Sequence, residues 1–283
     1  MYLNCHSYYS LRYGTIAPKQ LLAIASTYGI NTLALTDINN TSACLDFVRL
    51  SDKYKIKPVI GVDFRNGAQQ QFVVIAKNNN GFQNINSYLS KFLHNQKLQI
   101  PEQPESDLED CYVIYPYQKK KDYHLKPNEF LGIKPKDLNA LKFSKWNKLQ
   151  HKLVILKTVS FQNKKDFNTH RLLRAIDNNT LLSKLPKSEE GQESDKIIPY
   201  NNLCETYKEF PKLIENTASL LNNCTVKFDF TQETPNNQKS YTKTESLDYK
   251  LLERLTYKGL KYRYGNPNGV IYSRVKKELE IVK

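Results

Sequence analysis

Two hydrophobic periods alternate along the first third of the chain. YLNCHSYYSLRYG opens with a short apolar strand. Behind Pro18, placed where a missing N–H costs least, Leu21, Ile24, Ala25 and Tyr28 recur at helical spacing, and Gly29 supplies the stop. Thr32–Leu35 is a short apolar run suited to a buried parallel strand. Asp37-Ile38-Asn39-Asn40 reads as the turn after it. Ser42 then caps a second helix with Ala43, Phe47, Leu50 and Tyr54 on its apolar face, and 57–62 forms the next strand.

The alternation continues with a strand over 71–76, a turn at 78–81, and a helix carrying Phe82, Ile85, Tyr88, Leu89 and Phe92. Residues 98–108 are polar and proline-rich, hence a loop. Strands are predicted over 111–115, 129–133 and 152–156, a helix around His170, Leu172, Leu173 and Ile176, and a flexible polar loop over 187–196 (KSEEGQESDK). From there the pattern is helical: 203–222, 246–264 closed by Gly265, and a last helix from Tyr272, with a polar connector over 230–243. Repeated strand–helix units followed by helices predict a parallel α/β barrel or open sheet, with a helical appendix. The last helix stops at Lys283 with its apolar face in mid-course, which predicts a fragment of a longer protein.

Composition narrows the function classes. No apolar run approaches the roughly 18 residues of a membrane span, and the first residues lack a signal-peptide profile, so a cytoplasmic protein without membrane contact is expected. Cys5, Cys44, Cys111, Cys204 and Cys224 are odd in number and form no CxxC pair, against a disulfide framework or thiolate zinc site; most read as small buried hydrophobes. No GxGxxG or GxxxxGK[ST] loop is present. The formal net charge of +14 favours a polyanionic partner, and Lys250, Arg254, Lys258, Lys261, Arg263, Arg274, Lys276 and Lys277, interleaved with Tyr257, Tyr262 and Tyr264, concentrate it near the end. The same residues also fit the solvated face of two helices.

Candidate chemistry sits at the strand ends, where α/β folds build their sites: Asn4, His6, Asp37 and Asp63. LNCHSYYS-LRYG, LALTDINN, KPVIGVDF and QFVVIAKNNNGFQNI resemble, in order and spacing, the N-terminal PHP (polymerase and histidinol phosphatase) domain of bacterial DNA polymerase III alpha subunits, the family C replicative polymerases. NTHRLLRAI, FPKLIENTASLLNNC, YKLLERLTYKGLKYRYG and RVKKELEIVK resemble the segments leading from that domain to the palm. The resemblance implies a PHP-type distorted TIM-like barrel over 1–230, then a helical connector and the start of a palm over 231–283. The polymerase aspartates and their Mg²⁺ belong to the palm, so no catalytic residue is expected in this segment.

PHP domains that are active hold a metal cluster on His and carboxylate ligands, and the resemblance implies that this set is eroded. His-x-His stands here as Asn4-Cys5-His6, Asp-His as Asp37-Ile38, the next acidic position as Asp63, the following His as Gln71, and the late Asp-x-His as Thr158-Val159-Ser160. Only His6, Asp37 and Asp63 remain as good ligands, so no metal or cofactor is expected. His94, His124, His151 and His170 lie outside these motifs, His170 as a packing or surface residue. Asp37 is expected to accept N–H groups of its own turn, and His6 to bond Asp37 or Asp63. The implied role is a scaffold within the polymerase that docks the proofreading exonuclease subunit, with DNA contacted by the full-length protein. The alternatives are an active metal-dependent phosphoesterase and a generic basic nucleic-acid-binding module.

Overall fold

The computed structural model describes residues 1–95, 97–118, 121–231 and 240–283. They fall into two compact units, Met1–Phe230 and Thr231–Lys283.

The first unit is built on one eight-stranded sheet. Its strands are β1 (Tyr2–Cys5), β2 (Thr32–Leu35), β3 (Lys57–Asn66), β4 (Gln69–Ala76), β5 (Cys111–Pro116), β6 (Glu129–Ile133), β7 (Leu153–Ile155) and β8 (Thr158–Val159), in the order β7-β6-β5-β4-β3-β2-β1-β8. The two edge strands are separated in sequence only by Leu156 and Lys157, a link that spans at most about 11 Å. The sheet must therefore curl and bring its two ends near each other, giving a half-barrel form of the distorted α/β barrel that the resemblance implies.

The sheet is mixed where an all-parallel one is expected. β4 alone runs against its neighbours β3 and β5. No helix separates β3 from β4: the link is Gly67-Ala68, and Gly67 takes φ +57°, a conformation without steric cost only for glycine. Pairing with β4 also extends β3 to Asn66, so Asp63 lies within a strand. A register shift between Phe64 and Arg65 pairs Arg65 with Gln70 and leaves Gln71 unopposed. β8, read in the sequence only as part of a motif, is a true edge strand parallel to β1.

Helices pack against the sheet: α1 (Pro18–Thr27), α2 (Cys44–Ser51), α3 (Asn79–His94), α4 (Leu138–Lys142), α5 (Lys164–Asp177), α6 (Tyr200–Thr206) and α7 (Pro211–Asn222). Pro18 starts α1 and Gly29 follows its end at φ +68°, as expected. Ser42 does not cap α2; Ala43 stands there, and Asn40 instead takes the Ser42 N–H at 2.6 Å. The helix expected over 203–222 is two helices, because Pro211 cannot continue the first and begins the second. The polar run at 187–196 is tied down: the Asp195 carbonyl accepts the Ser160 and Phe161 N–H groups, and Glu190 pairs with Arg171 and Lys187.

Side-chain alternation splits the core. Outward residues such as Leu33, Leu35, Ile60, Val62, Phe64 and Phe72 pack under the helices. Leu3, Ala34, Val59, Val73, Ile75, Ile114 and Val154 fill the inside together with Leu220 and Leu221 of α7. All five cysteines are free, and all but Cys204 are buried.

The second unit holds α8 (Glu245–Tyr264) and α9 (Gly269–Val282). Thr244 and Asn268 cap them, and Gly265 ends α8 at φ +62°. Tyr249 donates to the Leu279 carbonyl at 3.2 Å and Tyr257 stacks near Tyr272, so the helices run antiparallel. The connector expected over 230–243 falls mostly on 232–239, outside the described residues.

Candidate functional site

Period-two alternation sets the site. Along β3, Val59 lies in the apolar interior, and Asp63 and Arg65 follow on the same face at even spacing. Ala34 on β2 is likewise followed by Thr36. The inside of the barrel thus changes from an apolar floor to a buried polar layer made of Asn4, His6, Thr36, Asp63, Arg65, Thr158 and Ser160.

Asp63 is the centre of that layer. Its Oδ2 receives Asn4 Nδ2 at 3.2 Å, His6 Nε2 at 2.9 Å, Arg65 Nε at 3.0 Å, Arg65 Nη2 at 2.7 Å and Gln70 Nε2 at 2.9 Å. Its Oδ1 has no partner among the described residues. Burial alone would push this carboxyl up, but the Arg65 guanidinium and the His6 bond outweigh it and hold the pKa well below the usual carboxylate range. The carboxylate accepts only, so His6 carries its proton on Nε2. Its Nδ1 is hydrogen-bonded to Ser160 Oγ at 2.8 Å. Asn4 is fixed from both ends, donating to Thr158 Oγ1 at 3.2 Å and accepting Thr36 Oγ1 at 2.8 Å.

Asp37 does something different. Its oxygens accept Ser7 N at 2.6 Å, Ser7 Oγ at 2.8 Å and Ser10 Oγ at 2.7 Å. The turn expected to bond its own N–H groups is replaced by a clamp on a distant loop. That loop, 7–14, folds back so tightly that a Cβ on Gly14 would lie 1.9 Å from the Ser7 carbonyl oxygen. Burial, which Asp37 answers with these donors but no ion pair among the described residues, pushes its carboxyl up. Ile38 contributes only main chain: its N–H donates to Ser10 Oγ at 3.0 Å, and it bridges Asp63 in parallel.

Most of the sequence-derived residues therefore converge: Asn4, His6, Asp63, Thr158 and Ser160 share one network, and Asp37 anchors its rim. Gln71 does not join. The β3–β4 register shift turns its neighbour Gln70 into the layer, while Gln71 donates to the Gln69 carbonyl at 3.2 Å. Arg65, Ser7, Ser10 and Asn39 were missed. A longer β3 would have revealed Arg65, two residues beyond Asp63 on the same face.

His170 lies at the side of this layer and is fully buried. It bonds the Tyr13 carbonyl at 2.8 Å through Nδ1 and accepts the Gly191 N–H at 2.8 Å. Burial lowers its pKa to about 4, with nearby Arg174 and Arg65 acting in the same direction. A cavity of about 330 Å³ opens over Arg65, lined also by Gln70, Tyr117, Lys134, Thr158 and Asp195.

The donor set can be tested against a metal cluster. A cation needs lone pairs, and five N–H contacts already fill one oxygen of Asp63. Asn4, Thr158 and Ser160 are spent on internal bonds. Among the described residues no group of three or more His, Cys, Asp or Glu side chains is arranged to hold a metal ion. Among the described residues no helix is long and apolar enough to cross a membrane.

Comparison with known proteins agrees with the barrel's reading. A family profile described as the PHP domain matches residues 3–124. DNA polymerase III subunit alpha of Ureaplasma parvum is 25% identical over 99% of this chain and 27% of its own length. The same subunit from Bacillus subtilis is 23% identical, and that from Borreliella burgdorferi 22% identical, each over 100% of this chain and 28% of the relative. Among solved structures, a protein from Bifidobacterium adolescentis, provisionally described as a metal-dependent phosphoesterase, matches at 11% identity and a TM-score of 0.32, over 75% of this chain and 97% of its own; a likeness at that level carries no argument. A PHP-domain profile thus covers residues 3–124, and the chain, spanning about a quarter of the length of those relatives, is similar along nearly its whole length to DNA polymerase III alpha subunits.

Proposed function

We propose that this chain is the PHP portion of a replicative DNA-directed DNA polymerase, and that its pocket serves as a metal-free structural core rather than a phosphoesterase. The observation that carries this reading is the convergence of Asn4, His6, Arg65 and Gln70 donors on Asp63 Oδ2. A metal-activated water needs a cation held by several free lone pairs. Here the same carboxylate oxygen is saturated by protons on nitrogen. The outer face of such a barrel is then available for docking, and the resemblance assigns it the proofreading exonuclease subunit.

Elemental analysis of the purified protein, with hydrolysis of p-nitrophenyl phosphate and of single-stranded DNA with and without EDTA, tests the first part. The expectation is substoichiometric metal and no chelator-sensitive hydrolysis; stoichiometric zinc or manganese with EDTA-sensitive turnover would refute it. Docking is tested by titrating the chain with the separate exonuclease subunit of the same replication system, where no measurable association counts against it.

A second reading rests on α8 and α9, where Lys250, Arg254, Lys258, Lys261, Arg263, Arg274, Lys276 and Lys277 are all exposed. A duplex-binding surface built on them would show log affinity falling with log salt at about −0.9 per phosphate contact. Weak binding that is flat with salt favours the docking role.

A further inference from the structure

We infer that Arg65 is the built-in cation of the pocket: its guanidinium supplies the positive charge that balances the buried Asp63 carboxylate through Oδ2, and its removal turns the pocket into a binding site for a free guanidinium ion. The inference rests on the metal-free reading above, and the observations that carry it are local.

Two donors of one planar group, Nε at 3.0 Å and Nη2 at 2.7 Å, meet the same carboxylate oxygen. Arg65 is 5% exposed and Asp63 0%, so this is a buried ion pair and not a surface one. The Tyr13 ring lies 4.9 Å from the guanidinium carbon and covers its face. Arg65 is also held by its main chain. Asn39 Oδ1 accepts the Arg65 N–H at 3.0 Å, and Asn39 Nδ2 donates to the Arg65 carbonyl at 2.8 Å. Asn39 itself sits at φ +48° with its own N–H on the Asp63 carbonyl at 3.1 Å. One asparagine from the turn after β2 thus sets the position of both members of the pair. A guanidinium presents its donors in a rigid fork, which a lysine ammonium does not reproduce.

A tethered cation has a consequence that a bound ion lacks. The charge of Asp63 is balanced at every divalent-cation concentration, and folding of the barrel is independent of metal supply. The cavity of about 330 Å³ over Arg65 gives a free ion of the same chemistry a route to the seat once the side chain is cut back.

The experiment is chemical rescue read by thermal unfolding of the whole chain. Arg65→Ala leaves a buried carboxylate without its cation and is expected to lower Tm by roughly 10 °C. Guanidinium chloride at low tens of millimolar is expected to raise the Tm of Arg65→Ala and not that of the wild type, against sodium chloride at equal ionic strength; urea, similar in shape and neutral, is expected to do nothing. A variant within about 2 °C of the wild type, or equal responses to guanidinium and sodium, would overturn the inference. If Arg65→Ala does not fold, the pair Arg65→Met and Arg65→Met/Asp63→Asn decides. The double variant is expected to be the more stable of the two, and a double variant no better than Arg65→Met would overturn the proposal. Stoichiometric metal in the wild-type protein would sink the metal-free reading, while guanidinium rescue of Arg65→Ala would still stand as a property of the seat.

Discussion

Asp37 and Asp63 follow neighbouring positions in one PHP-like motif series, both are buried, and the fold uses them in opposite ways. Asp63 has a guanidinium and an imidazole, and its pKa is held low. Asp37 has two serine hydroxyls and one N–H, and its pKa is raised. The difference teaches that burial does not decide the state of a carboxylate; the charge of what faces it does. Asp63 balances charge inside the barrel. Asp37 fastens a loop at its mouth.

The largest expected effect separates the two directly. Asp63→Asn leaves the Arg65 guanidinium buried against a neutral amide and is expected to cost about 3–5 kcal/mol. Asp37→Asn strands no charge, keeps one acceptor oxygen and leaves two hydroxyls free to turn, so it is expected to cost about 1–2 kcal/mol. Urea unfolding of both variants reads the difference, and equal losses would erase the distinction between them.

His170 sharpens the comparison, because it is as deeply buried as either aspartate and faces Arg174, Arg65 and Glu190 with only main-chain hydrogen bonds. Its folded pKa of about 4 lies below the ordinary 6.5, so the unfolded chain binds the extra proton between those values. The stability this neutral ring contributes is fully present above pH 6.5 and is lost as the pH falls toward 4, by about 3 kcal/mol in all. Against wild type, His170→Gln is expected to show a stability deficit at pH 7 that shrinks by about that amount at pH 4. Guanidine or urea midpoints across this range check it; a deficit that does not change with pH removes the claim.

The smallest effect tests the register of β3 against β4. Gln70→Ala removes a donor from Asp63 and is expected to cost about 1 kcal/mol, whereas Gln71→Ala, whose amide bonds only a nearby carbonyl, is expected to cost a few tenths at most. The reverse order in thermal unfolding would mean that the shift between Phe64 and Arg65 is misplaced.

How far the sequence carries can be judged from these same residues. α1 was legible from Pro18 to Gly29, because both of its ends are set by local chemistry. β2 was legible because an apolar run between turn residues has few alternatives. Asn4, His6, Asp37 and Asp63 were found as a set because strand ends gather side chains irrespective of the rest of the fold. What escaped depends on partners distant in sequence. β3 reaches Asn66 only because β4 returns along it, and with that length hidden, Arg65 fell between the predicted strands and drew no reading. Gln70 and Gln71 are equivalent in composition and are distinguished only by one skipped pairing. The segment 187–196 has a disordered composition, yet Arg171, His170 and Ser160 fasten it from elsewhere. His170 was read as a packing or surface residue, and the helical period alone could not choose between the two.

The seam between β7 and β8 fixes more than the shape of the barrel. Only Leu156 and Lys157 join the first and last strands of the sheet, both are buried, and the Lys157 ammonium is spent on the Thr158 and Ser194 carbonyls. The link works like a buckle of fixed length: β7 cannot slide far from β8, while the outer edge of β7 is covered by Thr217 and Asn216 of α7 and that of β8 by the Asp195–Lys196 backbone. Thr158 and Ser160, just past the buckle, are therefore kept in step with Asn4 and His6 by chain length as well as by hydrogen bonds.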